Sequence, residues 1–277
     1  LVFKDKIYIS FTEEIKEDCW NTSIIFGNIN SKFIKFQKLF SPNKCIFSEK
    51  SLDSEFNAHQ SGGRILHFDD EKLILSVGDY RSRYLAQDKE SINGKIIIID
   101  IFTKNYEIIS MGHRNPQGLY FDKKNQIILE TEHGPMGGDE INLIEIGNIN
   151  LKKEIQNYGW PVVSKGEHYG GKNEYNKDKY SKYPLYKSHK KYGFIEPIKS
   201  FVPSIGVSEI VKIKPNLYAF SSLKDKSIYF MELNKKREIE NLFRLEVYER
   251  IRDLKYKNNK LYMFMEDTAS IGVLNLN

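Results

Sequence analysis

The segment at residues 59–64, HQSGGR, places a histidine directly before a run of alternating apolar residues. Imidazole titrates near neutral pH, so His59 is suited to act as a general base. A histidine that caps a strand or hydrogen-bonds a neighbour fits the same pattern. The segment alone therefore leaves both a catalytic and a structural role open.

Two other segments place cationic side chains just before strand-like residues. Residues 112–118, GHRNPQG, put a cation and two amides on a tight turn, which suits an anionic, carbonyl-rich ligand. Residues 250–253, RIRD, place two guanidinium groups on one side of a strand, because side chains alternate between its faces. Paired arginines of this kind are otherwise surface charge. Because these polar segments precede hairpins in the same register, we expect them to lie at one end of the fold.

Residues 132–142, EHGPMGGDEIN, combine glycines, a proline and acidic side chains. Such a loop is irregular, and its backbone carbonyl groups can point inward. Calcium prefers carbonyl and carboxylate oxygen atoms as ligands, so this loop is a candidate calcium site. An acidic turn between two strands is the alternative interpretation.

The elements that carry these segments are predicted to be β-hairpins. A unit of alternating apolar strand, polar turn and second alternating strand occurs five times. Period-two alternation on both sides of a short turn is typical of a half-buried antiparallel pair. The predicted hairpins cover residues 1–9, 65–77, 119–129, 210–220 and 254–264.

Repeated hairpins favour a β-propeller. Strand-like segments at 95–101 and 227–233 follow two of the hairpins and would complete four-stranded antiparallel blades. We predict a single all-β propeller domain over residues 1–277, with an upstream blade or closing strand that can be missing from this chain. Only residues 11–19 hint at a helix. Residues 170–193 are predicted to be a loop, either solvated or able to grip a polyanion or stack a sugar.

The composition of the chain limits which kinds of partner and cellular location are expected. The net charge of +5 over 277 residues permits an anionic ligand without demanding nucleic acid, and we expect no nucleic-acid partner. No apolar run is long enough to cross a bilayer, and the first residues do not read as a signal peptide. Cys19 and Cys45 could form one disulfide or remain two thiols. Oligomeric state is open.

Taken together, the motifs resemble the glucose/sorbosone dehydrogenase family of soluble quinoproteins, which use pyrroloquinoline quinone (PQQ). The resemblance covers nearly the whole chain from about residue 55, with the motifs in the family's order. It implies a six-bladed β-propeller that oxidises the anomeric carbon of aldoses to lactones. The motifs are HQSGGR at 59–64, GD at 78–79, AQD at 86–88, GK at 94–95, GHRNPQGL at 112–119, EHGPMGGDEIN at 132–142, NYGWP at 157–161, PSI at 203–205, LK at 223–224 and RIRD at 250–253.

The resemblance also implies roles for individual residues. His59 would be the general base that takes the proton of the anomeric hydroxyl while hydride passes to the quinone. The side chains that would hold PQQ through charge or hydrogen bonds are Gln60, Arg114, Asn115, Lys224, Arg250 and Arg252. The main-chain oxygens of Gly134 and Pro135 would hold a catalytic calcium ion, and Glu140 with Tyr158 a second, structural one.

The family context further implies an aldose substrate, an external electron acceptor and a location in the periplasm or outside the cell. Three departures from the family pattern stand out. Ala58 precedes His59 where glucose-oxidising members carry an acid, Phe201 replaces an expected tryptophan, and extra residues fill about 149–156. These changes bear on the partner that orients His59, on cofactor stacking and on the structural calcium. A propeller that binds a carbohydrate or protein partner without redox turnover is the alternative function.

Overall fold

The computed structural model describes residues 1–30, 32–147 and 155–276, and these residues divide into two compact units. The first unit comprises residues 1–116 and 146–161, and the second comprises residues 117–145 and 162–277. The prediction of one domain over 1–277 is not decided by this division and stays a prediction.

The first unit contains two five-stranded sheets. One sheet has the order β1-β2-β3-β4, and β5 also pairs with β3. In the other sheet, β6 to β9 pair with their neighbours in sequence, and β13 adds to β9 in parallel. The strands are β1 (Val2–Phe3), β2 (Lys6–Lys16), β3 (Cys19–Asn28), β4 (Gln37–Phe40), β5 (Ile46–Phe47), β6 (Gly62–His67), β7 (Lys72–Val77), β8 (Lys95–Asp100), β9 (Tyr106–Met111) and β13 (Gln156–Asn157).

The second unit contains two four-stranded sheets and one of three strands. Their orders are β10-β11-β12-β14, β15-β16-β17-β18 and β19-β20-β21. The strands are β10 (Pro116–Asp122), β11 (Ile127–Glu132), β12 (Asp139–Glu145), β14 (Lys199–Phe201), β15 (Val207–Lys214), β16 (Leu217–Ser222), β17 (Ser227–Leu233), β18 (Ile239–Glu246), β19 (Ile251–Lys257), β20 (Lys260–Met265) and β21 (Ser270–Asn275).

All five predicted hairpins are present, as β1–β2, β6–β7, β10–β11, β15–β16 and β19–β20. The hairpin turns lie where the polar residues interrupt the alternation. Asn216 and Asn258, for example, adopt positive φ angles of 63° and 52°, a conformation that asparagine tolerates better than most residues. Apolar side chains of the sheets form buried clusters. Leu75 and Ile97 lie in a cluster of the first unit, Leu129 and Phe220 in one cluster of the second unit, and Leu261 in another cluster of that unit.

The all-β propeller is confirmed, but the prediction of six four-stranded blades is wrong, because the described residues form five sheets of three to five strands. Alternating apolar segments occur in five hairpins only. Between β12 and β14, the described part of the chain forms β13 and short helical turns instead of another sheet. The hint of a helix at 11–19 is also wrong, because these residues lie in β2, a turn and the start of β3.

Residues 170–193 are more ordered than a solvated loop. They contain a helix, α1 (Lys177–Lys182), flanked by 3₁₀ turns at Glu174–Asn176 and Lys190–Tyr192. Buried His168 precedes this segment and buried His189 lies within it, while most of its other residues are exposed. In the described ranges, no helix is long and apolar enough to span a membrane.

Candidate functional site

In the first unit, buried Asp79 gathers the residues around the first polar segment. Its carboxylate accepts a hydrogen bond from Gln60 Nε2 at 2.5 Å and another from Trp160 Nε1 at 2.7 Å. The backbone N–H of Arg81 donates to the same carboxylate at 2.8 Å. Burial raises the pKa of Asp79, and the nearby charge of Arg114 opposes that rise. Asp79 therefore fixes two side chains from distant parts of the sequence.

Arg114 and Asn115 lie beside this carboxylate, and both are buried. The guanidinium carbon of Arg114 is 5.4 Å from the centre of the Trp160 ring, within the range of a cation–π interaction. The carbonyl of Arg114 accepts from the backbone N–H of Asp79 at 2.9 Å. Asn115 Oδ1 accepts from the backbone N–H of Gly62 at 3.3 Å. The structure thus brings Gln60, Arg114 and Asn115 together, as the sequence predicts for a binding site.

His59 lies at the edge of the same cluster and is exposed. Its backbone N–H donates to Asn57 Oδ1 at 2.8 Å, which fixes the turn that presents the imidazole. Ala58 contributes only its carbonyl, which accepts from Thr12 Oγ1 at 3.4 Å. Within the described ranges, no side chain forms a hydrogen bond or ion pair with the His59 ring. The assignment of His59 as a base stays a prediction.

Lys95 supports the turn that carries Arg114. Its ammonium group is fully buried and donates to the carbonyl groups of Leu85, Ala86 and Asn93 at 2.7, 3.0 and 2.8 Å. The Ala86 carbonyl also accepts from the backbone N–H of Gly112 at 3.1 Å. Burial lowers the pKa of Lys95 to about 7. One buried ammonium group therefore joins the backbone of residues 85 and 86 to that of residue 93, and the Ala86 carbonyl links both to Gly112.

Gly112 shows why the turn at 112–118 requires glycine. Its φ angle is +76°, and a Cβ atom there would lie 2.3 Å from Asn157 Oδ1. Asn157 and Gln87 form side-chain hydrogen bonds to each other, with Asn157 Nδ2 donating to Gln87 Oε1 at 2.8 Å. The NYGWP and AQD motifs are thus packed directly against this turn.

In the second unit, Asp139 closes the glycine-rich loop between β11 and β12. Its carboxylate accepts from the backbone N–H groups of Gly134 at 3.3 Å and Gly206 at 2.6 Å. Gly134 lies so close to the loop that a Cβ atom would be 1.7 Å from the carbonyl oxygen of Gly138. Pro135, beside it, is buried. The loop is therefore tightly folded, which holds the two carbonyl groups that the sequence predicts as calcium ligands.

The turn at residues 203–208 connects this loop to two predicted cofactor-binding residues. The backbone N–H of Lys224 donates to the Ile205 carbonyl at 2.9 Å, and Ser208 Oγ donates to the carbonyl of Arg252. Gly206 has a φ angle of +68°, and a Cβ atom there would meet Lys224 N at 3.0 Å. A glycine is thus required at residue 206.

Arg250 and Arg252 lie on the same side of the chain, as the alternation predicts, and both bind Glu266. Arg250 Nε is 3.3 Å and Arg252 Nε 2.8 Å from carboxylate oxygens of Glu266. Burial acts to raise the pKa of Glu266, but the hydrogen bond and charge of Arg252 outweigh it and leave this pKa below its usual range. Arg252 and Lys224 are exposed, and Arg250 is partly exposed.

Three glutamates, Glu130, Glu132 and Glu140, are buried in the second unit. Asn142 Nδ2 donates to Glu130 Oε2 at 2.9 Å and to Glu132 Oε1 at 3.0 Å. Burial, followed by repulsion from Glu132, raises the pKa of Glu130 and of Glu140 well above the usual range. His189 Nε2 lies 3.5 Å from Glu140 Oε1. Crowded carboxylates of this kind bind either protons or a cation.

The remaining residues named in the sequence analysis lie in packed parts of the fold or outside the described ranges. Tyr158, in the first unit, is buried and stacks on His113 with ring centres 4.9 Å apart. Glu140 belongs to the second unit, so its pairing with Tyr158 at one calcium ion stays a prediction. Phe201 lies in a core and contacts Phe220. The extra residues at 149–156 fall mostly outside the described ranges.

Sequence reasoning assigned no role to Asp79, Trp160, Lys95 or Glu266. Asp79 and Lys95 stand in the GD and GK motifs and Trp160 stands in NYGWP, but the sequence does not indicate which residues they contact. Glu266 carries no sequence signal, because it meets Arg250 and Arg252 only through pairing of β19 with β20.

Comparison with known proteins gives a family match and several relatives, of which two are described. Residues 3–274 match the family model for Glucose / Sorbosone dehydrogenase. The chain is 30% identical over 225 residues to "Uncharacterized protein slr1608" of Synechocystis sp. (strain ATCC 27184 / PCC 6803 / Kazusa), covering 70% of this chain and 50% of that protein. It is 25% identical over 289 residues to "Aldose sugar dehydrogenase YliI" of Escherichia coli (strain K12), covering 95% of this chain and 71% of that protein. The chain thus spans half the length of the first relative.

Among solved structures, the chain is similar to the PQQ-bound form of aldose sugar dehydrogenase from Streptomyces coelicolor. The TM-score is 0.67 at 21% identity, over 96% of this chain and 71% of the other. At this identity the similarity establishes the fold alone.

Proposed function

Because this chain belongs to the glucose/sorbosone dehydrogenase family, we propose that it oxidises the anomeric carbon of aldoses to lactones with PQQ and calcium. One observation carries the proposal. Gln60, Arg114 and Asn115 converge around buried Asp79, with His59 exposed at the rim. A scaffold alone does not need a buried arginine and two buried amides from two separate segments in one cluster.

His59 is proposed to be the catalytic base. Its side chain is exposed, and Asn57 holds the backbone of its turn. An exposed imidazole can accept the proton of a bound sugar's anomeric hydroxyl, because the neutral ring has one nitrogen that accepts a hydrogen bond. Asp79 is proposed to act as a positioning residue, because it holds Gln60 and Trp160 without being exposed itself.

The chemistry of the donor set fits PQQ, which carries carboxylates and carbonyl groups. In the first unit these donors are Arg114, Gln60 and Asn115, and in the second they are Lys224, Arg250 and Arg252. Glu266 holds the two arginines of the second unit in place. When bound, PQQ would supply the oxidising centre and calcium would polarise its quinone carbonyl.

The second unit also has features that fit calcium. The 134–139 loop is packed so closely at Gly134 that a side chain there would collide with its own backbone. The carbonyl groups of Gly134 and Pro135 are proposed as ligands of the catalytic ion. Glu140, with Tyr158, is proposed for a structural ion. The burial of Glu130 and Glu132 beside Glu140 supports a cation there, as does Asn142 Oδ1, which is buried without a hydrogen bond to any described residue.

An oxidising location is proposed as well. Cys19 and Cys45 form a disulfide, with Cα atoms 5.3 Å apart. Of the two states that the sequence left open, the structure therefore contains the bridge. Disulfides persist in the periplasm and outside the cell. The proposal includes an aldose substrate and an external electron acceptor, as the family implies.

The test is a titration of the apo-protein with PQQ and calcium, followed by dye reduction with a panel of aldoses. We expect saturable PQQ binding and sugar-dependent reduction. His59→Ala is expected to bind PQQ with unchanged affinity but to lose at least 100-fold in kcat, the usual scale for loss of a general base. His67→Gln in β6 is the matched control.

Arg114→Ala tests cofactor binding separately from chemistry. It is expected to weaken PQQ binding at least tenfold, the scale of about 1.4 kcal/mol for one charge-assisted hydrogen bond. Arg237→Ala, which removes an exposed arginine paired with Glu145, is the matched control. A folded protein that binds no PQQ in the presence of calcium would contradict the proposal and favour the non-catalytic propeller.

A further inference from the structure

The first unit contains a cavity of about 340 Å³ that none of the proposed catalytic residues lines. Its walls come from the end of β2, from residues 43–51 and from residues 84–93. A volume of this size is within the range of small-molecule sites.

Three lysines surround the cavity: Lys16, Lys44 and Lys50. Across the described residues, no carboxylate lies within 4 Å of these ammonium groups. The ammonium groups of Lys16 and Lys50 instead lie 5.0 and 5.5 Å from the centre of the Phe47 ring. Asp88 is the acidic residue of the lining, so the lining charges sum to +2 from three lysines and one aspartate. The cavity therefore favours an anion.

The wall that carries these lysines is held rigidly. The Cys19–Cys45 disulfide ties it to β3. Asn21 Nδ2 donates to the Lys44 carbonyl at 2.9 Å, and β5 pairs with β3 through Phe47 opposite Cys19. A rigid wall loses little conformational entropy when a ligand binds, so it is preorganised for recognition.

The remaining lining suits a ligand with hydroxyl groups. Asp88 and Asn43 offer oxygen acceptors, and the floor holds the buried polar side chains of Ser51 and Ser91. Phe47 and Tyr84 add aromatic rings. Small-molecule sites combine aromatic surface with a few polar groups in this way.

We propose that this cavity binds an anionic sugar, meaning a sugar that carries a carboxylate or a phosphate. The three ammonium groups would neutralise the anionic group, and Asp88 and Asn43 would accept hydrogen bonds from hydroxyls. The proposal does not depend on PQQ chemistry, because no residue assigned to the cofactor lines the cavity.

The experiment is calorimetric titration of the full chain, without PQQ, with gluconate, glucose 6-phosphate, glucose and inorganic phosphate. We expect at least one of the two anionic sugars to bind at least tenfold more tightly than glucose and than inorganic phosphate. The preference between gluconate and glucose 6-phosphate distinguishes carboxylate from phosphate. Affinity is expected to fall as salt rises from 50 to 500 mM, because the attraction is electrostatic.

The triple variant K16Q/K44Q/K50Q is expected to weaken this binding at least tenfold. The matched control K35Q/K123Q/K124Q removes the same charge from exposed lysines outside the cavity and is expected to bind as the wild type does. Thermal unfolding of both variants verifies that they are folded. Absence of wild-type binding at 10 mM ligand, equal weakening in both triple variants, or phosphate binding as tightly as the anionic sugars would each overturn the proposal.

Discussion

Lys95 in the first unit and the glutamate cluster of the second unit are both buried charges, but they are satisfied differently. The ammonium group of Lys95 donates to three backbone carbonyl groups within 3.0 Å. Glu130 and Glu132 instead share one amide donor, Asn142, and repel each other. The first region holds its lysine through backbone carbonyl groups, whereas the buried carboxylates of the second region, whose pKa values are raised at Glu130 and Glu140, bind protons or a cation.

The two regions differ because an ammonium group donates hydrogen bonds and a carboxylate accepts them. A lysine ammonium group offers three donors, so three carbonyl oxygens match its hydrogen-bonding capacity. Ionised carboxylates only accept, so a cluster of them requires protons or a cation from solution. We therefore expect the contribution of the first region to the free energy of unfolding to be the same with and without calcium. The second region is expected to respond to calcium.

The largest effect is expected from Lys95→Met. The substitution keeps much of the side-chain volume but leaves the carbonyl groups of Leu85, Ala86 and Asn93 without this donor. Buried unpaired polar groups cost about 1–3 kcal/mol each, so we expect a loss of about 3 kcal/mol or more in the free energy of unfolding. Urea denaturation measures it. A loss below about 1 kcal/mol would contradict the assignment of Lys95 as the internal hydrogen-bond donor to these carbonyl groups.

The stabilities of the wild type and of Lys95→Met are expected to depend differently on pH. Burial lowers the folded-state pKa of Lys95 to about 7, whereas a lysine in the unfolded chain titrates at about 10.4. Between these values the unfolded state binds more protons, so wild-type stability rises with pH by up to about 1.4 kcal/mol per unit. We expect the difference between wild type and Lys95→Met to grow from pH 7 to 9. A flat difference would mean that the carbonyl groups hold the proton despite burial.

A smaller effect is expected from Glu130→Gln, which keeps the shape and removes one negative charge. In a chelator the variant is expected to be more stable than wild type by about 1 kcal/mol, because repulsion within the cluster is reduced. The raised pKa of Glu130 means that wild-type stability falls as pH rises above about 4.3. The stability of the variant is expected to fall less steeply with rising pH.

In saturating calcium, the wild type is expected to become more stable than Glu130→Gln. Saturating calcium should raise the melting temperature of wild type, since a ligand that binds only the folded state stabilises it by about 2.7 kcal/mol at 100 times its Kd. The gain should be smaller in Glu130→Gln. If each protein melts at the same temperature in calcium and in chelator, the glutamate cluster does not bind calcium and the prediction is wrong.

The smallest effect is expected from Lys226→Met, the matched substitution at an exposed lysine. Lys226 Nζ lies 2.7 Å from Asp267 Oδ2, and both side chains are substantially exposed, at 44% and 38%. Exposed ion pairs contribute about 0–1 kcal/mol. We therefore expect a change below about 0.5 kcal/mol in urea denaturation. A loss comparable to that of Lys95→Met would show that burial is not the deciding factor.

Much of the fold could be predicted from local pattern. Hairpins such as 210–220 and 254–264 were predictable because alternation and turn residues act over a few positions. Blade number was not, because it depends on how distant segments pair. β13, for instance, joins β9 in parallel across an interval of sequence that holds β10 to β12.

The candidate site divides in the same way. His59, Arg114 and the paired arginines were predicted as site residues from residue type and position, and they stay predictions. The partners that hold them, Asp79 and Glu266, were not assigned, because their contacts arise only on folding. The disulfide was likewise open until the structure brought Cys19 and Cys45 together.

The sequence by itself determined the strands of the five hairpins, their turns and the polar segments at the ends of hairpins, because these depend on side-chain periodicity and local backbone preference. Only the tertiary structure decided that Trp160 and Gln60 meet at Asp79, that Lys95 is enclosed by carbonyl groups, and that Glu130 faces Glu132 across Asn142. These contacts join residues far apart in the chain or on neighbouring strands. Their energies depend on burial, which a linear pattern does not specify.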